Sequence, residues 1–105
     1  MIPIVWVGDS KGEIKSFPDD ARRDAGFQLS NVQHGKEPSD WKPMAAIGPG
    51  VREIRIRERS GAFRIIYVVL GKDAVYVLHA FQKKTQRTRI GDIELARERF
   101  RSIPR

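Results

Sequence analysis

Val51-Arg52-Glu53-Ile54-Arg55-Ile56-Arg57-Glu58, then Arg59-Ser60-Gly61-Ala62, then Phe63-Arg64-Ile65-Ile66-Tyr67-Val68-Val69-Leu70 is the stretch from which the architecture can be read. The first eight residues alternate, so Ile54 and Ile56 face one way while Arg55 and Arg57 face the other. Arg59–Ala62 has turn composition. Phe63–Leu70 is apolar except at Arg64, the pattern of a central strand covered on both faces. Gly71-Lys72-Asp73 marks a second tight turn and Ala74–Phe81 a further buried strand, so the spacing predicts a three-stranded antiparallel meander.

Upstream, Ile2–Val7 is a β-branched and aromatic run ending at Gly8-Asp9, read as a strand. Ser10-Lys11-Gly12-Glu13 has the spacing of a capping box and opens a short helix through about Lys15. Ser16-Phe17-Pro18-Asp19 is a second start signal. In the helix that follows, Ala21, Ala25, Leu29 and Val32 share one stripe, and Gly35 ends it. Residues 36–50 hold three prolines and two glycines, so they read as an ordered loop pinned by Trp41 and Met44. Downstream, Gln82–Gly91 is polar and basic. Asp92 reads as the cap of a last helix with Ile93, Ala96, Phe100 and Ile103 on one face. The expected fold is α+β, an N-terminal strand and helical hairpin packed on a twisted antiparallel sheet, with a C-terminal helix.

At 105 residues the chain is expected to form a single domain spanning 1–105. No apolar run approaches the roughly 20 residues that span a bilayer, and the N-terminus does not read as a secretory signal. With no cysteine, disulfides, thiolate metal sites and cysteine nucleophiles are excluded, and a cytoplasmic address is expected. The net charge of +7 is uneven: residues 1–50 hold 6 basic and 7 acidic side chains, residues 51–105 hold 14 and 6. A positive half points to a polyanion on one face, with a merely solvated surface as the alternative.

Arg64 is the sharpest anomaly, since a guanidinium in an apolar strand keeps its charge. Either it pairs with Glu53 or Glu58 on the neighbouring strand, or it lines a groove that receives an anion. Arg55 and Arg57 sit side by side and repel unless something negative covers them. Gln82, Lys83, Lys84, Thr85 and Arg87 form a basic, hydroxyl-bearing run suited to phosphate and sugar. His79 reads as a core or sheet-edge histidine, with an outside role as a base. The acidic residues have no metal-ligand spacing, so no metal and no cofactor are expected.

The segments Arg52-Glu-Ile-Arg-Ile-Arg57, Ser60-Gly-Ala-Phe-Arg-Ile-Ile-Tyr67 and Val77-Leu-His-Ala-Phe-Gln-Lys-Lys-Thr-Gln-Arg-Thr88, with Asp40-Trp-Lys-Pro-Met44 and Ile47-Gly-Pro-Gly-Val51, resemble the RelE/ParE toxin superfamily. The likeness is to its phage-derived, HigB-like branch and covers essentially the whole chain. The resemblance implies a RelE-like fold and the toxin of a type II toxin–antitoxin pair, a metal-independent endoribonuclease that cuts mRNA on the ribosome. It places Arg64 at the scissile phosphate and Lys83 and Lys84 as a basic pair assisting the leaving group. Arg55, Arg57, Gln82, Thr85, Arg87 and His79 then fall among the RNA-binding residues. RelE carries a tyrosine in its C-terminal segment, where this chain has none, and Phe100 cannot replace it. The implied partners are a cognate antitoxin of the helix-turn-helix DNA-binding kind, together with ribosome and mRNA. The alternatives are a ParE-like, non-enzymatic DNA gyrase inhibitor and a basic RNA-binding module without activity.

Overall fold

The computed structural model describes Met1–Pro104. The elements run β1 (Ile4–Trp6), α1 (Ser10–Lys15), α2 (Asp19–Gln33), β2 (Trp41–Pro43), β3 (Arg52–Glu58), β4 (Gly61–Leu70), β5 (Ala74–Lys83) and α3 (Ile90–Arg101). They form an α+β fold around one five-stranded sheet in the order β1-β5-β4-β3-β2.

The expected meander of β3, β4 and β5 is present and antiparallel. Two features enlarge it. β1 pairs with β5 in parallel, Val5 opposite Tyr76, so the N-terminal strand belongs to the sheet and is not merely packed on it. Within the stretch expected to be loop, Trp41–Pro43 pairs antiparallel with β3, Trp41 opposite Ile54. A three-residue edge strand holding a proline carries too little β periodicity to be seen locally.

Strand alternation divides the core between the two faces of the sheet. On one face Ile54, Ile56, Phe63, Ile65, Tyr67, Val75 and Val77 pack with Ile14, Phe17, Ala21, Ala25, Leu29 and Val32 of α1 and α2. The helical stripe read from the sequence is the buried one. On the other face Val51, Ile66, Val68 and Leu78 pack with Met44, Ile47, Ala96, Phe100 and Ile103. Gly48 is buried there so close to Phe100 that an added Cβ would overlap the ring. A bulge in β5 between the positions opposite Ile66 and Tyr67 lets both Leu78 and His79 join this second face.

Two local signals have a different use from the one expected. Ser10 and Glu13 do not form a capping box: Asp9 is the N-cap and makes no side-chain cap hydrogen bond. The buried Ser10 hydroxyl instead donates to Val77 O at 2.9 Å. Glu13 Oε1 accepts from Ala80 N at 3.2 Å. Likewise Asp92 does not cap α3, which begins at Ile90 with Arg89 as N-cap. The reason is an exposed strand edge. β1 pairs with β5 only as far as Val77, while β5 continues to Lys83, so the remaining main-chain groups need other partners. Glu13 supplies one, for Ala80 N, and Arg99 another, its Nη1 donating to Leu78 O at 2.8 Å. Ser10 adds a second donor to Val77 O, which also accepts from Val7 N.

Candidate functional site

The strand register arranges the site in rows. Arg57, Ala62 and Lys83 lie side by side across β3, β4 and β5. Arg55, Arg64 and Phe81 form the next row, and Glu53, Ile66 and His79 the third. Neighbouring strands lie about 4.8 Å apart, and same-face residues on one strand about 6.7 Å apart. Four cations from three strands therefore crowd around Ala62, whose methyl leaves the space between Arg57 and Lys83 unfilled. This is the face that α3 covers further along, at Ile66 and Val68, but leaves open here.

The opening is a cavity of about 450 Å³ lined by Arg55, Arg57, Ala62, Arg64, Lys83 and Lys84, with Thr85 and Gln86 completing the wall. The structure thus brings together six of the nine residues singled out from the sequence: Arg64, Lys83, Lys84, Arg55, Arg57 and Thr85.

Arg64 is only 5% exposed, and Glu53 beside it is fully buried. Arg64 Nε lies 3.5 Å from Glu53 Oε1, and its Nη1 donates to Phe63 O at 3.0 Å. The two readings of Arg64 are compatible: it pairs with Glu53 and also lines the cavity. The ion contact is loose. Arg64 Nε and Glu53 Oε1 are both buried without a hydrogen-bond partner among the described residues. Glu53 also meets Lys42 Nζ at 4.0 Å and accepts from Thr88 Oγ1 at 3.4 Å, so one carboxylate ties β2, β4 and the segment after β5 together.

Burial pulls the Arg64 guanidinium below the usual arginine range, against the stabilising charge of Glu53. Lys83 is also lowered from its ordinary 10.5. Loss of solvent is the larger cause and the neighbouring Arg64 charge the next, with Glu53 acting the other way. Arg52, which flanks the pair in sequence, is diverted: its guanidinium lies 3.9 Å over the Trp41 ring.

Three expected site residues are elsewhere. His79 is 4% exposed, with Nδ1 3.0 Å from Glu13 Oε2 and Nε2 2.7 Å from Asp92 Oδ1. Both ring nitrogens are engaged by carboxylates, so neither faces the cavity. Its place is structural, joining α1, β5 and α3, with Arg99 Nη1 adding a contact to Glu13 Oε1 at 3.1 Å. Gln82 lies on the opposite face, where its Nε2 reaches Ser60 O at 3.5 Å. Arg87 lines a separate cavity beyond the lysines.

Sequence reading missed Ala62 and Lys42, and it missed the Glu13–His79–Asp92–Arg99 network. Glu13 and His79 are 66 residues apart, and Glu13 and Arg99 86, so no local pattern announces them. Among the described residues no three His, Cys, Asp or Glu side chains are arranged to hold a metal ion. What the cavity offers chemically is preorganised positive charge over a small floor, with one lysine whose proton is more easily given up than usual.

Residues 12–101 match the family model described as Phage derived protein Gp49-like (DUF891). No curated protein matches the chain. With the match spanning most of its length, and with the α+β fold of the RelE-like kind, the chain belongs to the phage-derived Gp49-like family, a known RelE-like toxin–antitoxin family.

Proposed function

We propose that this chain is the toxin of a type II toxin–antitoxin pair, HigB-like in kind, and that it cleaves mRNA on the ribosome without a metal ion. The observation that carries the proposal is the cavity in which Arg55, Arg57, Arg64, Lys83 and Lys84 converge from separate strands on one small floor. RNA cleavage drives a 2′-OH, whose proton passes to water, in line onto its own phosphate, stabilises the phosphorane and protonates the 5′-oxygen that leaves. Arg64 and its neighbours supply fixed positive charge where negative charge develops. Arg55 and Arg57 hold the backbone. Lys83, lowered by burial and by Arg64, donates the proton to the leaving oxygen. The ribosome supplies substrate positioning, so the toxin itself needs fewer groups.

The whole chain acts as one domain in the cytoplasm, held inactive by a cognate antitoxin, a helix-turn-helix DNA-binding protein. The test is to induce the protein and map mRNA 5′ ends. Cuts confined to translated frames, abolished when initiation is blocked, are the expected result. Arg57→Ala and Lys83→Met, which leave no buried charge behind, should each lower cleavage by about 10²–10³-fold. Unchanged cutting by both variants would count against the assignment. Loss of gyrase-dependent supercoiling without RNA cuts would replace it with the ParE-like reading.

A further inference from the structure

A second cavity, of about 250 Å³, lies on the other side of the two lysines; Lys83 and Lys84 line both. Its remaining wall includes Phe81, Arg87, Arg89 and Asp92. Aromatic ring, carboxylate and guanidinium groups are what one nucleotide requires: a surface to stack on, an acceptor for base N–H groups, and cations for a phosphate.

The wall is held in place. The Phe81 ring stacks on His79 with centroids 5.1 Å apart and planes at 25°. His79 is in turn clamped between Glu13 and Asp92, so this ring rests on a fixed support. The segment carrying the arginines is turned on itself by Thr85 Oγ1, which donates to Arg87 O at 2.5 Å, and tied to the sheet by Thr88 Oγ1, which donates to Glu53 at 3.4 Å. An unanchored solvated loop would need neither contact.

We infer that this second cavity is a subsite for the RNA nucleotide next beyond the two joined by the cleaved linkage, with its base against Phe81 and its phosphate on Arg87 and Arg89. The lysine pair is then the ridge over which the strand passes from one cavity to the next. The inference rests on the nuclease reading of the first cavity, and extends it from the cleaved linkage to a third nucleotide.

The test is an amide-resolved NMR titration of the full chain with 2′-O-methyl di- and trinucleotides, which lack the attacking hydroxyl. A dinucleotide should shift the amides around Arg57, Ala62 and Arg64. A trinucleotide should additionally shift those of residues 81–89 and bind about tenfold tighter, the gain expected from one stacked base. Phe81→Leu, which keeps an apolar side chain there but removes the ring, and Arg87→Ala should each remove most of that gain, while Phe81→Tyr keeps it. If the third nucleotide adds the same affinity in Phe81→Leu and Arg87→Ala as in the parent protein, the subsite is overturned while the first cavity stands. If the dinucleotide leaves the Arg57 and Arg64 amides unmoved, the first cavity fails as an RNA site, and the subsite fails with it.

Discussion

Arg64 and Glu53 show how a buried charge is tolerated where an anion is to be received. The guanidinium cannot shed its charge, so the sequence supplies a carboxylate two rows below Arg57 on the neighbouring strand, and both are taken out of water together. The pairing is ionic contact at 3.5 Å without a formed hydrogen bond, and the same arginine lines the cavity. Removing one member leaves the other uncompensated. Glu53→Ala is expected to cost about 3–5 kcal/mol in urea denaturation, whereas Lys83→Met should stay within about 1 kcal/mol. For the same reason Arg64→Ala alone mixes lost chemistry with lost stability. Lys83 carries a separate expectation. Its lowered pKa means that the ammonium deprotonates below the ordinary 10.5. A lysine acting as acid works in its protonated form, so cleavage should fall as pH rises through that lowered value. Lys83→Arg, which stays protonated, should remove this alkaline limb from the rate profile, at some loss of rate. A limb unchanged in Lys83→Arg would assign the proton to another group.

Among the elements, β4 and β5 do most to build the site. β4 alternates Phe63, Ile65 and Tyr67 toward α1 and α2 with Arg64, Ile66 and Val68 toward α3, so its single arginine falls where the helical cover ends. The small residue beside it matters as much as the charges. Ala62→Leu should fill the floor between Arg57 and Lys83 while remaining compatible with a strand. Cleavage should fall by at least about 10²-fold, as for loss of a transition-state contact, with the thermal midpoint nearly unchanged. α3 depends on β5 in a different way. His79 satisfies Glu13 and Asp92 together, and Arg99 bonds both Glu13 and the β5 main chain. His79→Ala would leave two carboxylates facing an emptied position, so a loss of about 3 kcal/mol is expected by chemical denaturation. Gly8, at the turn from β1 to α1, has φ near +57°, and an added Cβ would press on Arg99 Nε. The turn and the network are therefore coupled.

Over the molecular surface, one patch concentrates positive charge. Arg55 and Arg57 of β3, Lys83 of β5 and Lys84, Arg87 and Arg89 after it border two adjoining cavities, whereas Arg52 lies over Trp41, Arg22 is spent on Asp19 and Arg97 on Ala46 O. Binding of single-stranded RNA should therefore weaken steeply with salt. Each phosphate neutralised contributes a slope of about −0.7 in log K against log salt, so three or four contacts give about −2 to −3. Arg57→Ala should make that slope shallower by about 0.7. A flat salt dependence would mean that the cations do not meet phosphate. Among the described residues no helix is long and apolar enough to cross a membrane.

The periodicity of residues 51–81, the stripe Ala21–Ala25–Leu29–Val32 and the basic run after β5 were enough to place the meander, both N-terminal helices and most cavity residues. These features are local, and strand alternation alone puts Arg55, Arg57 and Arg64 on a common face once the hairpin register is known. The N-terminal strand was legible, but its parallel pairing with β5 and the whole of β2 were not, because a three-residue edge strand owes its place to partners far along the chain. Nor were the uses of Ser10, Glu13, His79 and Asp92. Their short-range patterns imitate caps and core positions, whereas the free energy of each is settled by unpaired main-chain groups and buried charges that meet only when β5 lies against α1 and α3.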